Sequence, residues 1–532
     1  MKSIRIHCTH GKQSTQGFIL PGVLALIIAM TILGGAVLTI VLDNFFVVGN
    51  NAKSQEAFNI AEAGINYYLW HMAYNGTDFK DGQSTPTTPN PTLGYGPYVH
   101  QYENINNVDI GTYTLWINPQ GGGSTIATVR SIGQVNGSNI TRTIQAQIGA
   151  ASFASYGLVS NTAVWFGNDE SADGPVLSNQ GIRMDGPSDD VVESANSTYV
   201  PSSQLGGDGV TSEPGVWCSS TVTSPVNCNT RNKTDWLYPQ PNVDFGEVST
   251  SLCTMKKTAL ANYSSTSSYA TMSNACSQLP TTRTNAYIPE RSTSFSLSKG
   301  YLIQLDSNGT YDLYDVNGDN DQNTPYTSAL SLQTVATGIA IPSSGVIYTE
   351  DNVWVRTNPT FTGRVTIASG RLASTSQTTN LTIASNVLYG AKNGTDAIGL
   401  VSQGNVYIAP YAPPATGSFN FEVDAAVLAG SGSVTYPYTY QSNSSRCTRG
   451  WTSANQTLTF YGSVASDSTW TWNWQGGACG DMVYDPGSGY YFAGIEHTST
   501  DYDYNLLYAP PPSYPLTTGY DILSWREVLT QP

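Results

Sequence analysis

Apolar and polar positions divide this chain into four textures. From Phe18 to Leu42 every residue is apolar or glycine except Thr31 and Thr39, a run long enough to cross a bilayer as a helix. Beyond it Ala57, Ile60, Ala61, Gly64, Ile65, Tyr68 and Leu69 recur at helical spacing, with Lys53, Gln55, Glu56, Asn59 and Glu62 on the other side. That spacing predicts one helix over residues 18–75, its second half amphipathic. Residues 76–150 open with a Pro/Gly/Thr-rich connection that reads as a surface loop. Three runs follow, "VDIGTYTLWINPQ", "STIATVRSIGQVN" and "ITRTIQAQIGA", whose partial alternation between Gly/Asn turns predicts a half-buried antiparallel sheet.

From Ser155 the runs shorten. "SYGLVSNTAVWF", "DGPVLSNQGIRMDG", "NLTIASNVLYG", "AIGLVSQGNVYIAP" and "QTLTFYGSVAS" are each rich in Val, Ile or Leu and followed within a few residues by Asn, Ser or Gly. Recurrence of this kind predicts a parallel β-solenoid, in which each rung needs its neighbour; a β-sandwich is the competing reading. The solenoid is expected in two parts, 151–200 and 329–532, the second ending in a C-terminal wrap. Between them, 201–328 is expected to be an insertion. It carries a helix in "VDFGEVSTSLCTMKKTALANY", with Phe245, Val248, Leu252, Met255 and Leu260 near one face, and a hairpin turning at Asn308-Gly309.

Composition narrows the class. With 532 residues the chain exceeds one ordinary core. Only 11% of residues are charged, against 33 tyrosines and 51 glycines, which describes a turn-rich, exported β surface. The net charge of −16 becomes −19 without residues 1 to 17, which hold Lys2, Arg5 and Lys12 and no acid; a DNA partner is possible but disfavoured by that charge. Apart from Cys8, the cysteines are Cys218, Cys228, Cys253, Cys276, Cys447 and Cys479, an even set that on an exported chain predicts disulfides. Proximity favours 218 with 228, 253 with 276 and 447 with 479.

The basic leader should stay cytoplasmic. A polar basic leader, then Gly17-Phe18, then a long apolar helix resembles a type IV prepilin, whose peptidase cuts after the glycine. Residues 1–17 are then the leader, with Gly17 and Phe18 flanking the cut. The segment "AEAGINYYLW", Ala61 to Trp70, resembles the PilX-like minor pilin family. Related pilins usually carry a glutamate at the fifth mature position, which is Gly22 here. That glutamate is thought to pair with the N-terminal amine of the subunit above, so its absence is tolerable at a filament end. The β runs from Gly345 to Glu527, with "YDYNLLYAPPPSYP" and "ILSWREV", are similar to the β-helical ectodomain of large PilX-like proteins. The resemblance implies an α+β pilin body, a long N-terminal helix plus antiparallel sheet, followed by a mainly β right-handed parallel β-solenoid with a helix/hairpin insertion. It also implies a non-enzymatic minor pilin of the type IV pilus tip that primes assembly and adheres. Its partners would be other type IV pilins, the prepilin peptidase, the membrane through residues 18–42, and a surface glycan or protein. Its place would be the cytoplasmic membrane as a single-pass protein before assembly, then the pilus or cell surface. A DNA-uptake receptor and a surface polysaccharide lyase or hydrolase are the alternatives.

Candidate chemistry is sparse. "DVNGDNDQN" spaces Asp315, Asn317, Asp319 and Asp321 at alternate positions, as the first ligands of a calcium loop are spaced, though Asn320 stands where a glycine belongs and no glutamate closes the loop. A solvated Asx turn is the plainer reading; no other cofactor is suggested. Tyr436, Tyr438 and Tyr440, with Trp470, Trp472 and Trp474, alternate along two strand candidates and form the expected contact surface. No catalytic motif occurs; the acid pairs Asp189/Asp190 and Asp501/Asp503 are what a glycan-cleaving enzyme would draw on.

Overall fold

The computed structural model describes residues 19–74, 78–84, 88–119, 126–168, 170–261, 275–291, 295–319, 330–374, 376–409, 419–436, 450–451, 456–475, 483–485, 490–495 and 497–528. Helix α1 runs from Ile19 to Tyr74 without a break. Pro21 falls in its first turn, where the missing N–H has no helical partner to lose. The two polar residues of the apolar run turn inward on the helix: Thr31 donates to the Ile28 carbonyl (2.8 Å) and Thr39 to that of Gly35 (2.6 Å), so neither presents an unpaired donor.

The second half of α1 packs on an antiparallel sheet of β1 (Tyr95–Glu103), β2 (Asp109–Pro119), β3 (Ala127–Val135) and β4 (Thr141–Ser152). Ala57, Ile60, Ala61, Ile65, Tyr68 and Met72 meet Leu115, Ile117, Val129, Ile144, Ala146 and Ile148 in one core. The "AEAG" segment has a direct physical reading here. A Cβ on Gly133 of β3 would lie 2.1 Å from the Ala57 carbonyl oxygen, and one on Gly64 would lie 2.3 Å from Ser131 Oγ. Small residues on both surfaces let helix and sheet backbones approach, while Glu62 faces outward.

The C-terminal strand, Leu516–Val528, pairs antiparallel with β4 and completes this sheet as its fifth strand. Residues expected in a C-terminal wrap of the solenoid thus belong to the first sheet, and the chain from Phe153 to Pro515 is inserted between two neighbouring strands. Arg142 of β4 fastens the join: it pairs with Glu527, donates to Ser54 Oγ (2.8 Å), and lies 5.4 Å over the Phe58 ring.

The inserted body is built on parallel sheets. One of them stacks, in spatial order, Trp236–Leu237, Val192–Ser194, Val176–Ser178, Leu158–Ser160, Gln456–Ser466, Phe419–Ala429, Ala397–Ser402, Arg364–Ser369, Val346–Thr349 and Tyr287–Ile288. The chain alternates between this sheet and a second one that includes Asn352–Asn358, Leu381–Ile383, Val406–Ile408 and Val434–Thr435. Parallel pairing of strands joined through the opposite sheet excludes the antiparallel sandwich.

In-register columns explain the texture of the sequence. Ile347, Ile367, Leu400, Val427, Val464, Leu158, Val176 and Val192 form one inward column, each directly beside the next. At the corner after these strands a buried column of Ser369, Ser402, Ser466, Ser160, Ser178 and Ser194, interrupted by Ala429, ties down the turns. Ser178 Oγ donates to the Thr162 carbonyl (2.9 Å) and Ser369 Oγ to that of Asp351 (2.9 Å). Asn352, Asn380 and Asn405 make a parallel ladder: the side-chain oxygen of each accepts from the backbone N–H of the residue one rung on, Asn380, Asn405 and Ser433 (2.9 Å each). The turn groups that these side chains reach are thereby paired, as burial requires.

Stack order differs from chain order. The chain enters mid-stack at Leu158–Ser160, reaches Trp236–Leu237 at one end, crosses to Tyr287–Ile288 at the other, and returns until Val464 meets Leu158. The crossing carries α2 (Glu247–Leu260), whose Val248, Leu252, Met255 and Leu260, with Phe245, cover the outer face over Val346, Tyr348, Val401 and Leu428. Strand Gly300–Asp306 of the expected insertion pairs parallel with Asn352–Asn358 and antiparallel with Thr310–Asp319, so this hairpin continues the second sheet.

Candidate functional site

Helix α1 is the most conspicuous candidate. From Leu20 to Val48 its large apolar side chains are exposed, Leu20 by 80% and Phe45 and Phe46 by 72% each, whereas the same helix is buried on one face beyond Ala57. Among the described residues it is the one helix long and apolar enough to cross a membrane. Burying such a surface is favourable by about 25 cal/mol per Å², and lipid or other apolar helices are surroundings that would bury it. Gly22 lies in this exposed half with nothing within 4 Å of where a Cβ would stand. Gly17 and Phe18 lie outside the described residues.

The aromatic surface expected at residues 436–474 is corrected where it is described. Tyr436 is wholly buried and Trp472 is 6% exposed. Trp470 packs edge-on against Trp472 at 5.3 Å and lies 5.8 Å from Phe166. Alternation did put these side chains on one face, but that face is the interior of the stack, where large apolar rings gain most. Tyr438, Tyr440 and the side chain of Trp474 lie outside the described residues.

Asp315 and Asn317 sit in strand Thr310–Asp319 rather than in a wrapping loop, and Arg291 takes both, with Nε 3.1 Å from Asp315 and an N–H donated to Asn317 Oδ1 (2.6 Å). The side chain of Asp319, and all of Asp321, lie outside the described residues. Among the described residues no group of three His, Cys, Asp or Glu side chains is placed to hold a metal. Cys218 is bonded to Cys228 and Cys253 to Cys276; Cys447 and Cys479 lie outside the described residues.

The acid pairs separate by role. Asp503 is a buried turn cap, its Oδ1 accepting from Tyr461 Oη (3.0 Å) and from the Asn505 backbone (3.1 Å) and side chain (2.7 Å). Asp501 and Asp189 instead converge on Asp173, which the sequence reading did not single out. Burial first, then the charge of Asp189 and a hydrogen bond with Asp501, push the Asp173 carboxyl up to about 6. Asp189 also accepts from the Gly174 N–H (2.8 Å), and Tyr504 donates to Asp190 (3.1 Å).

Several cations of the stack are committed internally. Arg364 donates to the carbonyls of Gly394, Ala509 and Pro510, Arg231 to those of Met184 and Gly186, Arg371 pairs with Glu290, and Lys392 pairs with Glu422 and Asp424. Phosphate recognition needs cations presented outward.

No family profile and no curated protein matches the chain. A crystal structure of the competence-associated pilin ComZ from Thermus thermophilus is similar to it at 12% identity and a TM-score of 0.26, over 90% of this chain and 98% of that one. Similarity at that TM-score constrains neither the architecture nor the role.

Proposed function

We propose that this chain is a non-enzymatic minor pilin of a type IV pilus. It is cut after Gly17, held in the cytoplasmic membrane by residues 18–42 until assembly, and then placed at the filament tip, where it primes assembly and presents a right-handed β-solenoid for adhesion. The observation that carries this reading is the division of α1: a fully exposed apolar half continues without interruption into a half buried on a sheet that the chain's own C-terminus closes. Such a helix suits transfer from lipid into a bundle of like helices. Gly22, with no acid to neutralise a neighbour's amine, suits a subunit with none above it.

Gly17→Ala should leave a longer precursor by mass spectrometry, and normal cleavage would remove the prepilin assignment. Immunogold labelling should find the chain at filament ends. Gly22→Glu should spread it along the shaft; wild-type labelling throughout the shaft contradicts the tip position.

One observation favours a second reading, hydrolysis of a surface polysaccharide: Asp173 meets Asp189 and Asp501, and burial with these neighbouring acids raises its carboxyl to about 6, a range that general acid catalysis can use. Reducing-end release on a glycan panel, abolished by Asp173→Asn and Asp501→Ala, would support it. No release across the panel removes it.

A further inference from the structure

The crossing that carries α2 from one end of the stack to the other is fastened at both of its ends. At the entry, Asn179 holds Val243 by two bonds: its Nδ2 donates to the Val243 carbonyl (2.7 Å) and its Oδ1 accepts the Val243 N–H (2.9 Å). Phe245 meets Phe153 edge-on there at 4.9 Å. At the exit the fastening is polar and covalent. Lys256 is wholly buried. Its ammonium has three N–H groups, and three acceptors surround it: Glu350 and the carbonyls of Cys276 (3.1 Å) and Gln278 (2.5 Å). Tyr287 Oη lies 3.2 Å from both the Pro280 carbonyl oxygen and Glu350 Oε1.

Residues 276–280 thus supply acceptors to α2 and to the rung below it, yet they bury little of themselves. Ser277 and Leu279 are exposed, and Cys276 and Gln278 are half-buried. The bond from Cys276 to Cys253, which precedes Lys256 by one helical turn, ties this segment to α2. That bond is also within reach of solvent. Cys253 and Cys276 are both half-buried, whereas Cys218 and Cys228 of the other described disulfide are 8% and 4% exposed. Thiol–disulfide exchange needs access for the attacking thiolate.

We propose that the Cys253–Cys276 disulfide is a redox latch for α2. With the bond made, the Cys276 and Gln278 carbonyls stay on Lys256 and α2 stays closed over Val346, Tyr348, Val401 and Leu428. A dithiol reductant gives two electrons and two protons to the two sulfurs and becomes a disulfide itself. The segment is then no longer tied to Cys253, and a buried ammonium that loses acceptors is costly. α2 therefore lifts at the Tyr287–Ile288 end while Asn179 holds the other. The reverse exchange with a disulfide oxidant closes it, so the strap closes in a compartment where disulfides persist. The latch is independent of filament position and of adhesion.

The test follows amide hydrogen exchange of the full chain in detergent by mass spectrometry, which reads local opening, under graded dithiothreitol. Alkylation of the freed thiols reports which bond is broken. Cys253 and Cys276 are expected to react before Cys218 and Cys228. Exchange in α2 and Tyr287–Ile288 should then rise tenfold or more while that of Val176–Ser178 is unchanged. The double variant Cys253→Ser, Cys276→Ser should show the same local opening without reductant, and Cys218→Ser with Cys228→Ser should not. In Lys256→Met, where α2 already lacks its polar fastening, reduction should add less than twofold. Unchanged exchange in α2 with both thiols alkylated overturns the proposal. So does opening spread evenly over the stack, or a reduction effect in Lys256→Met as large as in wild type.

Discussion

The Thr517 hydroxyl donates to the carbonyl of Ala151, 366 residues earlier in the chain (2.9 Å). With Leu516 opposite Ser152 and the Phe153 N–H on the Pro515 carbonyl (3.0 Å), it marks where the inserted body leaves and rejoins the first sheet. Ending the chain at Pro515 would strip β4 of its outer partner and expose an unpaired edge. The shortened full-length protein is expected to lose cooperative melting of the first sheet and to aggregate on size exclusion. Arg142→Ala should cost only about 0.5–1 kcal/mol, because its pair with Glu527 is partly solvated. A truncated chain that melts like wild type would show the strand to be dispensable.

Lys256 and Glu350 form an ion pair with neither side chain exposed, Lys256 also donating to the carbonyls of Cys276 (3.1 Å) and Gln278 (2.5 Å). Burial pushes the Glu350 carboxyl up to about 7 and draws the Lys256 amine down. Lys256→Met leaves a buried acid without its cation and should cost about 3–5 kcal/mol, with most of the loss recovered when Glu350→Gln is added. Denaturant midpoints of the single and double variants measure this; equal loss in both would mean that packing of the stem, not charge, is what matters.

Asp173 gives a pH dependence of known sign. Its carboxyl titrates near 6 in the folded chain against 3.8 for the free group, so between those values the folded state binds more protons than the unfolded one. Stability from this group is fully present below about pH 4 and is lost as pH rises through about 6. Asp173→Asn should therefore melt above wild type at pH 7 and level with it at pH 4. A melting difference that does not change with pH contradicts the raised pKa.

Gly133→Ala should be more damaging than a surface glycine change. Its Cβ would fall within 2.5 Å of the Ala61 nitrogen as well as 2.1 Å from the Ala57 carbonyl oxygen, and neither backbone atom can rotate away. Overpacking of this kind costs about 1–3 kcal/mol. Gly137→Ala, where no atom lies within 4 Å but φ is +65°, separates close approach from backbone conformation: about 1 kcal/mol is expected there.

Elements with local signals were legible in the sequence. The length of α1, the three inner strands of the first sheet, α2 with its buried face, and the Asn308-Gly309 hairpin all announce themselves within twenty residues or so, because helical period, strand alternation and turn chemistry are local properties. The two outer strands of the sheet were not. Tyr95–Glu103 begins with Gly96-Pro97 inside a loop-like composition, which an edge strand tolerates, and Leu516–Val528 depends on a partner distant in sequence. The same limit explains the aromatic reading. Period two told that Trp470 and Trp472 share a face, but only the stacking of distant rungs decides whether that face is inside. Asp173 joined Asp189 and Asp501 in the same way: Asp501 pairs in register with Tyr461 of Gln456–Ser466, a strand that also stacks on Leu158–Ser160.

The side-by-side crossings between the first sheet and the stack also determine how the molecule bears force. A pull on the stack along β4 loads the β3–β4 ladder in shear, so that its pairs from Ala127↔Ile148 to Gln134↔Thr141 resist together rather than opening one at a time. The C-terminal strand, bonded to β4 and fixed to the stack at the same end, travels with β4 instead of being peeled from it. A chain threaded this way joins the inserted body to the first sheet through two neighbouring strands rather than through one linker.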